Sequence, residues 1–298
     1  MSLSNQIIQY LVTGVSIGGI YAMVAIGFNI IYNATGIINF AQGEFVMLGG
    51  LVMVTLTNTL GLPMYIGFFL AAFLVAAIGG IFERLAINPM RNASVLTLII
   101  VTIGGSIVLK GIAMFVWGKE TFFLPHFSGE QPIRLPGGAT ILPQTLWILG
   151  VTFITVILLT AFFRYTLAGK AMRACADNRV SAALVGIDAG RMVFFSFVLS
   201  AGIGAVAGII ITPIALMDYD RGFGLALKGF AAAVLGGLGN SAGAVIAGFM
   251  IGILESLGAG LISSGYKDAI ALFVLLLILF VRPSGILGSA ETAKLKKF

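Results

Sequence analysis

Two glutamates, Glu44 and Glu255, stand within the long apolar runs of this sequence. A carboxylate at membrane depth is costly, so such a residue is by default a candidate functional residue. A proton relay needs a series of ionisable partners, and the sequence around these two residues does not supply one. For Glu44 two interpretations stay open: it lines a transport path, or it caps the N-terminus of a broken helix. Glu255 is near the end of its run, where we expect the membrane interface.

The sequence offers little material for other site chemistry. Cys175 is the only cysteine and His126 the only histidine, so an internal disulfide is excluded and a metal site or Ser-His-Asp triad has no basis. A phosphate-binding loop of the form GxxxxGK(S/T) is absent, because Gly169-Lys170 is followed by Ala171. We therefore expect no catalytic residue, metal or cofactor on this chain. If ATP drives its function, another chain must bind the nucleotide.

The elements that must position these residues are membrane helices. Hydrophobic residues make up 59% of the chain and charged residues 9%, against about 25% charged in soluble domains. Crossing the hydrocarbon core takes about 20 apolar residues, and several uncharged runs reach that length. The prediction is an all-α, polytopic helix bundle in one transmembrane domain, 1–298, with about eight membrane segments. These segments are 6–32, 40–60, 64–82, 94–117, 144–163, 192–216, 229–261 and 266–282.

The distribution of basic residues predicts the orientation of the loops. Arginine and lysine collect in 164–191, around 84–91 and in the C-terminal tail at Arg282, Lys294, Lys296 and Lys297, which we place in the cytoplasm. The loop 118–143 balances its charges and is rich in proline and glycine, so we place it outside, together with the N-terminus. The formal charge of +6 is thus a topological signal and predicts no nucleic-acid partner.

Two segments read as broken or re-entrant helices. If 217–228 and 263–268 are both external, 229–261 must enter the membrane and return, with its break in the glycine-rich run LGGLGNSAGA at 235–244. The run 33–45 mixes asparagine, glutamine and glutamate with apolar residues in the same way. Irregular backbone at membrane depth is tolerated only inside protein or along a water-filled path. Both breaks are therefore expected in the interior of the bundle.

The stretch 167–190 reads as an amphipathic helix in the cytoplasm. Ala171, Ala174, Cys175 and Val180 form its predicted apolar face, and Gly186 its predicted end. Two interpretations remain open for such a helix. It rests on lipid headgroups, or it docks a soluble subunit.

Three runs, in order, resemble the permeases of branched-chain amino-acid ABC transporters of the high-affinity leucine-isoleucine-valine type. They are GFNIIYNATGIINFAQGEFVMLGG at 27–50, GKAMRACADNRVSAALVGID at 169–188 and FAAAVLGGLGNSAGAVIAGFMIGILES at 230–256. The resemblance implies a multi-pass permease of the bacterial inner (plasma) membrane that imports branched-chain or related amino acids. Its implied partners are a second homologous permease, two ATP-binding subunits that bind ATP and Mg²⁺, and an external solute-binding protein. Related permeases carry urea or short amides, which keeps that substrate class open.

The same resemblance supplies the candidate site residues. The expected substrate path carries Asn39, Gln42, Gly43, Glu44, Gly236, Gly237, Gly239 and Asn240. The expected ATPase-docking residues are Arg173, Asp177, Ala182, Gly186 and Asp188. The rival interpretations are a self-sufficient secondary transporter or channel and an intramembrane enzyme. Both require more ionisable residues at membrane depth than this sequence contains.

Overall fold

A computed structural model describes residues 3–134, 139–281 and 285–287. The basic residues predicted for the C-terminal tail, Arg282, Lys294, Lys296 and Lys297, lie outside the described residues. The helices are α1 Leu3–Thr35, α2 Gln42–Val54, α3 Met64–Phe82, α4 Val95–Trp117, α5 Pro143–Tyr165, α6 Leu167–Asp177, α7 Arg179–Leu184, α8 Ala189–Ala215, α9 Arg221–Gly236, α10 Ser241–Leu261 and α11 Lys267–Val281. Short π-helical stretches, Thr55–Thr59 and Glu83–Ile87, continue α2 and α3.

The loop 118–143 contains the only strands among the described residues. β1, Ile133–Arg134, pairs antiparallel with β2, Thr140–Ile141. The sequence did not predict this pair of strands, because each has only two residues and the loop around them is rich in proline and glycine. The fold class is nevertheless the predicted one, a helical membrane protein.

Among the described residues, six helices are long and apolar enough to cross a membrane. They are Asn5–Thr35, Met64–Met90, Val95–Trp117, Pro143–Tyr165, Ala189–Ala215 and Ser241–Leu261. The prediction of about eight segments also counted α2 and α11, which are shorter than these, and it took α9 and α10 together as the one segment 229–261. Large apolar side chains such as Phe69, Ile107 and Phe115 are exposed on α3 and α4. Such surfaces suit lipid tails and would be unfavourable in water.

The chain divides into two compact units. Unit 1 comprises Met1–Ile26, Pro125–Thr152 and Leu227–Phe298, and unit 2 comprises Gly27–Leu124 and Phe153–Ala226. The helices α1, α5 and α9 therefore contribute residues to both. The prediction of a single domain over 1–298 stays a prediction.

The core of unit 2 is built where α2 and α3 pack against α8. Glycines allow the backbones to approach: a Cβ at Gly208 would collide with the Val46 carbonyl, and one at Gly49 with the backbone of Ala205. The rings of Phe45 and Phe82 meet edge-on at 6.1 Å between centroids. Small residues at helix crossings are the usual solution in a membrane bundle, where close packing replaces the hydrophobic effect.

Unit 1 uses the same device between α1 and α10. A Cβ at Gly14 would lie 2.6 Å from Ile253 Cα, and one at Gly18 would lie 2.7 Å from Phe249 Cα. On the facing helix, a Cβ at Gly248 would lie 2.6 Å from Ala22 Cα. The small-xxx-small pairs of the sequence are therefore packing positions.

Both predicted helix breaks are present. The first separates α1 from α2 over residues 36–41, and the second separates α9 from α10 over residues 237–240. The bounds around the second break differ from the prediction, which started the segment at 229 and expected two short half-spans. Helix α9 starts at Arg221, and α10, with 21 residues, is long enough to cross.

Loops predicted to share one side of the membrane contact each other within each unit. In unit 2, Phe122 pairs with Met217, and Asn58 Nδ2 donates to the Phe123 carbonyl at 3.0 Å. In unit 1, Gln9 Nε2 donates to the Thr140 carbonyl at 3.0 Å. These contacts agree with the predicted grouping of the loops. Which group faces the cytoplasm stays a prediction.

Candidate functional site

The turn between α1 and α2 is held inside protein. Asn39 is fully buried, and its Oδ1 accepts a hydrogen bond from the Ala41 amide at 3.1 Å. The amide of Phe40, between these two residues, donates to Thr102 Oγ1 of α4 at 3.2 Å. The backbone groups freed by the helix break thus find partners without water, as the interior of a membrane protein requires.

Gln42 joins three helices in the core of unit 2. Its Nε2 donates to the Ser200 carbonyl at 3.3 Å, and its Oε1 lies 2.7 Å from Ser200 Oγ. That hydroxyl is also 2.8 Å from the Gly27 carbonyl of α1. Gln42 is fully buried, so in this conformation it ties α1, α2 and α8 together. Its expected place on a substrate path stays a prediction.

Glu44 stands in the first turn of α2 and is 2% exposed. Its Oε1 accepts a hydrogen bond from Ser106 Oγ of α4 at 2.9 Å. Its Oε2 is buried and has no hydrogen-bond partner among the described residues. A carboxylate in the first turn of a helix is stabilised by the helix dipole, by about 0.3–1 kcal/mol at exposed sites. The position of Glu44 suits this dipole interaction, but neither of its oxygens accepts from an amide of α2, because Oε1 is bonded to Ser106 and Oε2 has no partner among the described residues.

Two further charged residues of unit 2 bear on Glu44, one in α4 and one in the turn between α8 and α9. Lys110, one turn after Ser106 on α4, forms an ion pair with Asp220 in the turn before α9. The Lys110 ammonium also interacts electrostatically with Glu44. Sequence reasoning gave no role to Lys110 or Asp220, because the two residues are 110 positions apart and Asp220 stands in a short charged loop at 218–221. The available signal in the sequence was that Lys110 is four residues after Ser106, a spacing that puts both side chains on the same side of a helix.

Gly43 lets α9 contact α2 beside Glu44. A Cβ at Gly43 would collide with the Gly222 carbonyl, and one at Gly222 would lie 2.6 Å from the Gly43 carbonyl. The same Cβ at Gly222 would lie 3.1 Å from Glu44 Oε2. The first turn of α9 thus covers the glutamate directly, and only glycine fits at both positions.

The second glycine-rich motif forms the break between α9 and α10. Gly237 and Gly239 have φ of +97° and +92°, a region that side chains with a Cβ rarely adopt. Asn240 caps α10, since its Oδ1 accepts from the Gly243 amide at 2.9 Å. Gly236 and Gly243 are in backbone contact across the break. All four expected path residues here therefore shape the turn, and their contact with substrate stays a prediction.

Glu255 is fully buried within unit 1, and its place near the membrane interface stays a prediction. It accepts hydrogen bonds from Tyr21 Oη at 2.8 Å and from Lys228 Nζ at 2.8 Å. The Lys267 ammonium is 3.5 Å from the same carboxylate. Sequence reasoning did not find this pairing, because Lys228 and Lys267 are 27 and 12 positions away from Glu255 and no periodicity links them to it. A buried ion pair with these partners holds α1, α9, α10 and α11 together.

The segment expected to dock an ATPase folds as two helices, not one. Asn178 ends α6 and caps α7, because its Oδ1 accepts from the Ser181 amide at 2.9 Å. Met172 and Cys175 form the buried face of α6, whereas Val180, predicted for that face, is 72% exposed. The predicted end of the helix is confirmed, since α7 ends at Leu184 and Gly186 follows with φ +86°.

The five expected docking residues divide into two groups. Arg173 and Asp177 are exposed. The other three have structural roles: Ala182 is buried, Gly186 makes the turn, and Asp188 caps α8 by accepting from the Arg191 amide at 3.1 Å. Sequence reasoning missed the exposed apolar residues of this segment. These are Val180, Leu184 and Val185, 72–83% exposed.

Comparison with known proteins shows which family this chain resembles. Residues 10–279 match the family described as branched-chain amino acid transport system / permease component. The high-affinity branched-chain amino acid transport system permease protein LivH of Salmonella typhimurium is 36% identical over 96% of this chain and 97% of its own length. The corresponding protein BraD of Pseudomonas aeruginosa is 34% identical over 96% of this chain and 97% of its own.

A probable branched-chain amino acid transport permease protein LivH of Methanocaldococcus jannaschii is 30% identical over 92% of this chain and 90% of its own length. The similarity therefore covers nearly the whole chain, and the apolar helices suit a multi-pass protein of the inner (plasma) membrane. The chain belongs to the branched-chain amino acid transport system permease family, whose members are components of ABC transport systems.

Proposed function

We propose that this chain is the membrane-spanning permease subunit of an ATP-driven, binding-protein-dependent importer of branched-chain amino acids. The observation that carries the proposal is the similarity of nearly its full length to permeases named for high-affinity branched-chain amino acid transport. A second, homologous permease completes the translocation pathway. Two ATP-binding subunits and an external solute-binding protein complete the transporter.

The energy comes from the partner subunits, since the sequence has no phosphate-binding loop of its own. ATP and Mg²⁺ bind to the ATPase subunits, and the solute-binding protein delivers the amino acid from outside. To move a two-state equilibrium from 1:99 to 99:1 takes about 5.5 kcal/mol of differential binding. ATP and the loaded binding protein supply that bias in this proposal.

The docking surface for the ATPase is the exposed side of α6 and α7. Three apolar side chains are exposed here, those of Val180, Leu184 and Val185. Two exposed charged residues, Arg173 and Asp177, are close to them along the chain. An apolar centre with a charged rim is the usual composition of a protein interface. The buried face of α6, formed by Met172 and Cys175, fixes the segment to the permease. A displacement of α7 by the ATPase thereby moves α6 and α8 as well.

Purification of the tagged chain from native membranes in mild detergent, with mass spectrometry of its companions, tests the proposed assembly. We expect one homologous permease and ATP-binding subunits in a 1:2 ratio of this chain to ATPase. A chain that purifies alone and moves amino acids into liposomes without ATP would refute the proposal and favour a secondary transporter or channel. A complex whose binding protein holds urea or a short amide would keep the architecture and refute the substrate.

A further inference from the structure

The charged pair Lys110–Asp220 lies at the surface of unit 2, toward the C-terminal end of α4. The Lys110 and Asp220 side chains are 37% and 61% exposed. Lys110 is seven residues before the end of α4, which places it about 10 Å inside that end at 1.5 Å per residue. Exposed charges at membrane depth are costly in lipid. Asp220 lies in the turn between α8 and α9, on the side predicted to be external, so we place the pair next to water at that end of α4.

Glu44 lies directly behind this pair and leaves its charge only partly compensated. Ser106 occupies one carboxylate oxygen, and the other has no partner among the described residues although it is buried. Lys110 is paired with Asp220, and its charge acts on Glu44 only through space. With Glu44 ionised, the group of Glu44, Lys110 and Asp220 holds two negative charges and one positive charge. It lacks one cation.

We propose that Glu44 Oε2 binds the α-ammonium group of the amino acid in transit, and that Lys110 binds its α-carboxylate. The inference rests on the proposed function, since it assigns residues to the transported substrate. A zwitterion needs a carboxylate and an ammonium a few ångströms apart. Ser106, which is bonded to Glu44, and Lys110 are one turn apart on α4, so the carboxylate and the ammonium lie on the same side of this helix. The substrate ammonium is the missing cation, and Lys110 exchanges Asp220 for the substrate carboxylate.

Access to this site requires movement of the first turn of α9. Gly222 covers Glu44 so closely that a Cβ there would lie 3.1 Å from Oε2. The present conformation is therefore the closed one for this site. Withdrawal of α9 from Gly43 opens the carboxylate toward this surface of unit 2. Phe223, the next residue, is 62% exposed and offers apolar surface there for a branched side chain.

The test uses the complete transporter in proteoliposomes, with leucine uptake and ATP hydrolysis measured on the same preparation. For Glu44→Gln we expect at least a tenfold loss of leucine taken up per ATP hydrolysed, while hydrolysis stimulated by the loaded binding protein persists. Lys110→Met should give the same loss of the ratio. The matched control is Glu120→Gln, an exposed glutamate in the loop after α4, which should keep the wild-type ratio.

An unchanged ratio in both Glu44→Gln and Lys110→Met would overturn the assignment. Equal loss of hydrolysis and uptake in both variants would also overturn it, since that result reports a structural role alone. Replacing sodium with choline should leave wild-type uptake unchanged, whereas a loss that sodium restores would assign Oε2 to a metal cation. A wild-type complex without any ATP-driven leucine uptake would refute the proposed function itself, independently of these variants.

Discussion

Glu44 and Glu255 show how differently two buried glutamates are accommodated at the scale of the residue. Glu255 is fully paired, with a tyrosine and two lysines around it. Glu44 has one hydroxyl donor and an oxygen without a partner among the described residues. The first arrangement holds helices together, and the second is suited to a ligand. The sequence marked both residues as unusual but could not tell these roles apart, because the partners are distant along the chain.

Glu255→Gln should destabilise the protein strongly. The substitution leaves the Lys228 ammonium, only 13% exposed, without its counter-charge. Breaking a buried ion pair from one side typically costs about 3–5 kcal/mol. We expect a lower melting temperature in detergent, measured by thermal unfolding. The double variant Glu255→Gln with Lys228→Met should recover part of the loss, and Glu120→Gln should match wild type. A double variant no better than the single one would contradict the pairing.

Cys175 should react slowly with maleimides in the folded protein. It is 3% exposed on the inner face of α6, and burial raises the pKa of its thiol above the ordinary range. The thiolate is the reactive form, so its fraction stays small at neutral pH and labelling should accelerate as the pH rises. We expect at least tenfold slower labelling than at Val180→Cys in a Cys175→Ala background. Equal rates, measured by mass shift, would place Cys175 on the surface.

At the scale of the element, glycine decides which helices touch. The close approach of α2 and α9 at Gly43 and Gly222 depends on the absence of two Cβ atoms. The sequence predicted that such glycines serve packing but not which ones. Gly224, two residues further along α9, has open space where a Cβ would be. Spacing within one helix cannot reveal the partner helix that distinguishes these two positions.

Gly222→Ala and Gly224→Ala should therefore have opposite effects. The first places a Cβ 2.6 Å from the Gly43 carbonyl, and overpacking of this kind typically costs about 1–3 kcal/mol. The second enters open space in a helix, where alanine is favoured over glycine by about 0.5–1 kcal/mol. Thermal unfolding in detergent measures both. A Gly222→Ala variant as stable as Gly224→Ala would contradict the contact between α2 and α9.

The sequence placed the helix breaks well and the helix starts less well. The glycines and the asparagine at 237–240 indicated a break in the helix. Positive φ angles and helix capping depend on the local sequence, so they could be predicted from it. The start of α9 was placed at 229, after Lys228, because the prediction followed uncharged runs. The structure shows that Lys228 sits within α9, where Glu255 of α10 compensates its charge. Tertiary pairing of this kind is invisible along one chain.

Leu184→Asp should weaken the association with the ATPase subunits. Leu184 is 83% exposed at the end of α7, so the substitution leaves the fold intact and introduces an unpaired charge into the proposed interface. We expect ATPase recovery in the purified complex to fall at least fivefold, measured by quantitative mass spectrometry. The matched control is Leu60→Asp, also exposed but in a loop predicted on the other side of the membrane. Equal recovery in both variants would contradict the docking surface.

At the scale of the whole molecule, membrane insertion and family were readable from the sequence. Long uncharged runs and three motifs in order led to the helical membrane class and to the permease family, and the match over residues 10–279 confirms both. The contacts between loops agree with the predicted grouping of sides. The division into two interleaved units was not predicted, because it depends on contacts between residues more than a hundred positions apart.

ATP-dependent uptake of labelled leucine by the purified complex in proteoliposomes tests the central claim most directly. With the binding protein outside and ATP inside, we expect leucine to accumulate above its external concentration, and isoleucine and valine to compete with it. Without ATP or without the binding protein, accumulation should be absent. Accumulation that persists without both would contradict the account and assign the chain to transporters that need no ATPase.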